Sequence, residues 1–229
     1  MVCMMVSVYV DEDVSRFEIS VFYATVGEVI VEKDRVDLRE YARSLVNNLV
    51  STYSVDRVKD IPIIRFYRDI MWRLGIDPTK VRVSSEALLR RVLRGGSFPT
   101  INNVVDACNL ASLETLIPIS VFDLSKIRGD LRLRKAKPNE VFVSLDGTER
   151  LLTGDEVVLA DDSGNILNLY PHRDSKIASV DMSTRSVLVI AYGAPGVPQS
   201  LVRGAVERSL KYLMMFSNAK YLSDILKAK

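Results

Sequence analysis

Five polar side chains crowd one short stretch of an otherwise apolar run: Asn102, Asn103, Asp106, Asn109 and Glu114, all within 13 residues. Asn102 and Asn103 stand just before Val104, where side-chain oxygens cap the unpaired N–H groups that open a helix. Asp106 and Asn109 are three apart and share one helix face. Two readings stay open. The set is either capping plus a buried polar network, or a small-molecule pocket in which a few convergent amides and carboxylates fix a ligand's orientation. A second constellation is His172-Arg173-Asp174, which holds the only histidine of the chain. An imidazole flanked by a cation and a carboxylate is held in one tautomer and tuned near neutral pH; the plain alternative is an exposed or ion-paired histidine. A third group is basic: Arg82, Arg90, Arg91 and Arg94, with Arg128, Arg132, Arg134, Lys135 and Lys137. These are candidates for a phosphate-binding surface, set against an ordinary solvated face. Arg132 and Arg134 alternate with Leu131 and Leu133, as on a half-buried strand.

Other chemistries are excluded by their missing parts. Gly95-Gly96 runs into Ser97-Phe98-Pro99, so no phosphate loop follows. No G-x-S-x-G elbow occurs. The His-Arg-Asp triplet would need an asparagine where Ser179 stands to serve as a kinase catalytic loop. Cys3, Cys108 and one histidine make neither a disulfide framework nor a zinc cluster, so no metal or other cofactor is expected and the chain reads as cytoplasmic. With 31 basic and 29 acidic residues the net charge is +2, and any affinity for nucleic acid must come from a local patch. Apolar stretches such as Val187 to Tyr192 are far shorter than the roughly 20 residues of a spanning helix, which argues against a membrane. The apolar Val2 to Val10 lacks a basic lead and meets Asp11, Glu12 and Asp13 at once. It reads as a buried strand or a helix start.

The elements that must position these groups follow from periodicity. Phe17 to Val31 is rich in β-branched and aromatic residues and predicts a strand or bent strand pair. Apolar residues at 38, 41, 42, 45, 46, 49 and 53 predict an amphipathic helix. Further helices are expected from Ile63 to Leu74, from Ser84/Ser85 to Gly95-Gly96, and from Val104 to about Leu116. Short runs (LRLR, EVFVSL, EVVLAD, NILNLY, SVLVIAY) separated by turn signals predict hairpins and sheet. GAPGVP then leads into a helix from about Gln199 to Phe216, and residues 218–229 read as a helical turn or a docked tail. Helices come first in this reading, sheet second, and a helix closes the chain.

The stretch PTINNVVDACNLASLETLIPISVFDLSKIRGDLRLRKA, Pro99 to Ala136, resembles the B3/B4 domain of the phenylalanyl-tRNA synthetase beta chain. The likeness continues through LDGTERLL, DEVVLADDSG and SVLVIAY and covers roughly Arg82 to Tyr192. It implies an α+β fold of mixed sheet layers with packed helices. The expected division is an N-terminal strand and helix extension over 1–81, the B3/B4-like domain with its closing helix over 82–217, and a tail over 218–229. In the synthetase this domain holds an editing pocket that hydrolyses tyrosine wrongly esterified to the phenylalanine tRNA. The resemblance places Cys108 and Asn109 where that pocket has a threonine and an asparagine, and Ser120, followed by Asp123, where it has a histidine. Ile190 stands where it has a tyrosine-reading glutamate. PHRDS replaces a glycine-rich turn, so His172, Arg173 and Asp174 are delivered towards the same pocket.

These likenesses imply a tRNA-associated protein, expected to act as a stand-alone editing-like hydrolase of misacylated tRNA, an aminoacyl-tRNA deacylase and not a complete tRNA ligase. His172 and Asp174 are its expected catalytic pair. Asn102, Asn103, Asp106, Cys108, Asn109, Glu114, Ser120, Asp123 and Arg173 are its expected substrate contacts, and Arg82, Arg90, Arg91 and Arg94 its RNA contacts. Without the glutamate, tyrosine is not the expected substrate. The alternative is a non-catalytic module that binds tRNA, another RNA or a small ligand. The expected partner is tRNA or aminoacyl-tRNA; nothing in the sequence argues for or against a homo-oligomer.

Overall fold

The computed structural model describes residues 6–95, 97–221 and 223–229. Cys3, the first part of the Val2 to Val10 run, and Gly96 of the expected Gly95-Gly96 stop lie outside the described residues. The order is β1 (Val8–Val10), the single turn α1 (Glu12–Ser15), β2 (Val21–Gly27), α2 (Val36–Thr52), α3 (Pro62–Arg73), α4 (Ser84–Leu93) and α5 (Asn103–Thr115). Then come β3 (Ile119–Asp123), β4 (Leu131–Lys135), β5 (Val141–Val143), β6 (Glu149–Leu151), β7 (Val157–Asp161), β8 (Ile166–Leu169) and β9 (Arg173–Asp174). β10 (Ser186–Tyr192), α6 (Gln199–Ser217), β11 (Lys220–Tyr221) and β12 (Leu226–Lys227) complete the chain.

The fold is α+β. One sheet runs β11-β2-β10-β3, all antiparallel, with β12 also on β2. The other runs β1-β4-β7-β8-β9, where β1 pairs β4 in parallel and the remaining neighbours are antiparallel. The expected order of helices before sheet is corrected here. β2 is buried along its whole length and pairs with β10 from Val21↔Tyr192 to Gly27↔Ser186. A strand apolar on both faces cannot stay at an edge, so the early strand closes on a partner far along the chain. The tail is docked as two short strands rather than as a helical turn, because β2 offers them its other edge.

α5 shows why the helices lie where they do. It is buried on nearly every side, with Val104, Ala107, Cys108, Leu110, Ala111 and Leu113 inside. Such a helix must be covered on more than one face. α6, whose Val202, Ala205, Val206 and Leu210 are buried, packs against it, and β3 packs beside it. α4 is anchored by an internal ion cluster: Glu86, fully buried, accepts from Arg68 at 3.0 Å and from Arg90 at 2.7 Å. The core is continuous from Val6 to Ala219 and draws on Val21, Tyr23, Tyr67 and Met71 of the early segment. No described helix is long and apolar enough to cross a membrane.

Candidate functional site

Two sheets meet at one polar island. On the first, Ser120 of β3 lies directly opposite Ile190 of β10, and Tyr192 shares the face of Ile190 two residues on. On the second, Asn168 of β8 lies directly opposite Asp174 of β9. The four polar side chains converge. Ser120 Oγ donates to Asp174 Oδ1 at 2.6 Å, and Asn168 Nδ2 donates to the same oxygen at 2.8 Å and to Ser120 Oγ at 3.4 Å. Ser120 and Asn168 are each only 3% exposed and Tyr192 1%.

The electrostatics are those of a carboxyl withdrawn from water among neutral polar partners. Burial pushes Asp174 up to about 6, while the bonds from Ser120 and Asn168 pull it down. Among the described residues no cation pairs with it. Two side-chain atoms of the island are left without any hydrogen-bond partner among the described residues, Asn168 Oδ1 and the Tyr192 hydroxyl. Burial first and then the Asp174 carboxylate push the Tyr192 phenol well up, against the pull of the nearby Ser120 side chain, so it stays protonated at neutral pH. Two further tyrosines fix the strand that carries it: Tyr67 donates to the Tyr192 carbonyl at 2.6 Å and Tyr170 to the Gly193 carbonyl at 2.7 Å. The residue that follows β10 is glycine for a steric reason, since a Cβ at Gly193 would stand 2.2 Å from Ser20 Oγ and 2.9 Å from a Val202 methyl.

Some residues picked from the sequence belong to this island and others do not. Ser120 and Asp174 do. Cys108 is buried, its thiol pushed up to about 12 by burial, with the Asp174 charge acting in the same direction. It is therefore an inert thiol rather than a nucleophile. Asn109 is half-buried and makes no side-chain hydrogen bond among the described residues. Arg173 and Asp174 point to opposite sides of their strand, which sends the guanidinium out to solvent as the carboxyl turns in. His172 is pushed down to about 4, by burial first and then by Arg173, and no hydrogen bond joins it to Ser120 or Asp174.

The remaining polar residues of the α5 region are occupied with structure. Asn102 Oδ1 caps α5, accepting from Val104 N at 3.1 Å and Val105 N at 2.9 Å. Asn103 clamps three backbones: it accepts from Glu32 N and donates to the carbonyls of Ile30 and Phe216. Asp106 accepts from Ile101 N at 3.0 Å, and burial pushes it up to about 7. Glu114 pairs with Arg208 at 3.0 Å and accepts from Tyr212. Asp123 accepts from Ser125 and Thr184 at a turn. Arg90 is spent on Glu86 and the Val55 carbonyl, whereas Arg91 and Arg94 are exposed and Arg82 half-buried.

Sequence reasoning missed Asn168 and Tyr192. The signal available was a lone amide inside the apolar strand Ile-Leu-Asn-Leu, which a buried strand tolerates only with partners. Among the described residues no group of three or more His, Cys, Asp or Glu side chains gathers to hold a metal.

A family model described as the B3/4 domain matches residues 66–213. The phenylalanine–tRNA ligase beta subunit of Fusobacterium nucleatum subsp. nucleatum is 36% identical over 121 residues, 52% of this chain and 15% of that protein. The same subunit from Anaeromyxobacter dehalogenans is 35% identical over 141 residues, 60% of this chain and 17% of that protein. The chain thus spans only a small part of the length of the curated relatives it matches. An N-terminal fragment of the phenylalanyl-tRNA synthetase beta subunit from Pyrococcus horikoshii superposes with a TM-score of 0.51 at 16% identity. That superposition covers 98% of this chain and 54% of the fragment, a likeness of fold.

Proposed function

The chain belongs to the B3/4 domain family, and from that premise we propose that it acts on aminoacyl-tRNA, hydrolysing the ester between an amino acid and the terminal ribose. The observation that carries this reading is the Asp174 carboxyl, oriented by Ser120 and Asn168 and pushed up to about 6 in a largely buried site. At pH 7 such a group is roughly nine-tenths ionised, yet more basic than an ordinary carboxylate.

In this mechanism Asp174 accepts a proton from water as the water oxygen bonds to the acyl carbon. The carbonyl becomes an oxyanion and then collapses, breaking the bond to the ribose oxygen. That oxygen takes the proton, leaving a free amino acid and a tRNA with its terminal hydroxyl restored. Asp174 is the base in preference to His172. An imidazole lowered to about 4 is the weaker base, and it is not bonded to the island. Ile190, apolar and fully buried opposite Ser120, itself carries no group to read a tyrosine hydroxyl.

The test is a deacylation panel: tRNAs carrying several cognate and mismatched amino acids, incubated with wild type, D174N, S120A and H172A. Hydrolysis of a subset, reduced about 10²–10⁴-fold in D174N and retained in H172A, is the expected result. No hydrolysis of any ester, with tRNA still bound at low salt, would leave a non-catalytic binding module. Loss in H172A with D174N active would move the base to the histidine.

A further inference from the structure

Asn168 and Tyr192 present one unsatisfied acceptor and one unsatisfied donor inside the same island. Asn168 spends its amide N–H on Asp174 and Ser120, so its Oδ1 is the free half of the group. Tyr192 is a protonated phenol whose hydroxyl lies beside Asp174 and Ser120, with no partner within hydrogen-bonding distance among the described residues. Both side chains are more than nine-tenths buried. A buried donor or acceptor left unpaired costs about 1–3 kcal/mol, and neither atom braces the fold. The backbone of Tyr192 is held by Tyr67, and β8 is held by its pairing with β7 and β9.

An α-amino acyl group offers the complementary pair a short distance apart: a cationic ammonium that only donates and a carbonyl oxygen that only accepts. The nearby Asp174 carboxylate, with no cation of its own among the described residues, supplies negative charge for the ammonium. We propose that Asn168 and Tyr192 read the α-amino acyl head of the ligand, Asn168 Oδ1 taking an ammonium N–H and the Tyr192 hydroxyl donating to the acyl carbonyl oxygen. The inference rests on the aminoacyl-ester reading above and specifies it. The site demands a free α-amine whatever the side chain, and N-acylated aminoacyl groups are refused.

The probes are non-hydrolysable 3′-aminoacylamido-3′-deoxyadenosines bearing several side chains. Each is prepared with a free α-amine, with an N-acetyl group, and with the acyl carbonyl replaced by methylene, and is titrated calorimetrically into the full chain. Wild type is expected to bind the free-amine form at least about tenfold tighter than its N-acetyl form. Tyr192→Phe should lose about tenfold on the carbonyl probe and nothing on the methylene probe. That variant removes only an unpaired hydroxyl, so its thermal stability should not fall below wild type, which separates a reading role from a structural one. Equal binding of free and acetylated probes, equal weakening of both probes by Tyr192→Phe, or no binding of any probe at millimolar concentration would each overturn the inference. Ester hydrolysis is read separately. Hydrolysis without discrimination sinks this inference alone, and discrimination without hydrolysis sinks the hydrolase alone.

Discussion

Replacing Ser120 with alanine should move the pH at which Asp174 ionises. Ser120 Oγ donates to Asp174 Oδ1 over 2.6 Å, and Asn168 adds a bond of 2.8 Å to the same atom. Burial acts against both and sets the carboxyl at about 6. A hydrogen bond to a charged group contributes about 1.5–3 kcal/mol, and about 1.4 kcal/mol corresponds to one pH unit. Loss of the serine bond should therefore raise Asp174 by about one to two pH units. The assay is the pH profile of single-turnover deacylation, with the Asp174 carboxyl carbon followed by NMR. The rising limb is expected near pH 6 in wild type and about one to two units higher in S120A. Activity at pH 7 should then fall about two- to tenfold in S120A and recover above pH 9.

Stability must move with the same proton. The folded value of about 6 lies above the ordinary 3.8, so between them the folded state holds more protons than the unfolded one. Asp174's contribution is thus fully present below about 3.8 and lost as pH rises through 6. The gap is worth about 3 kcal/mol. D174N should remove that loss in urea denaturation at successive pH values. His172, lowered to about 4, acts in the opposite direction, so the quantity read is the difference between variant and wild type. An S120A midpoint that stays put or falls, or a D174N series with the full wild-type slope, would refute the reasoning.

Asp106 gives a second pH effect: raised from 3.8 to about 7 by burial, it costs stability as pH rises through 7. D106N should therefore lose about 3 kcal/mol less than wild type between pH 5 and 9 in urea titrations. E86Q leaves Arg68 and Arg90 without their buried counter-charge and should destabilise by about 3–5 kcal/mol, measured by equilibrium unfolding. N102A removes the cap of α5 and should cost about 1 kcal/mol by the same measurement. If the exposed Arg91 and Arg94 meet tRNA phosphates, R91A/R94A should lower the salt slope of binding by about 1.5–2, read from affinities at 50–200 mM salt.

The helices were legible because their signals are local. Apolar spacing locates α2 and Asn102 caps α5, each within a turn or two of the residues that cause it. The strands of the second half were legible from turn residues, but their partners were not. Nothing near Val21–Gly27 says that it will pair with Ser186–Tyr192. β3 was hidden for another reason: Ser120 breaks its apolar run, and only its inward bond to Asp174 explains a hydroxyl there. Arg90 looked like a phosphate contact because charge is visible in a sequence, whereas the Glu86 that consumes it one turn away is recognisable as buried only in the fold.

By itself the sequence determined the family resemblance, the helical framework and half of the polar island, since Ser120 stood out as a departure from the family pattern and Asp174 as a neighbour of the single histidine. Tertiary structure alone decided that they touch, that Arg173 turns away, and that Asn168 and Tyr192 lie beside them. The reason is physical. Residue type and spacing act over a few residues, but these four side chains sit on four strands of two sheets and meet only through non-local pairing. Burial, which raises the carboxyl and leaves an amide oxygen and a phenol unpaired, belongs to the surroundings and not to the residue.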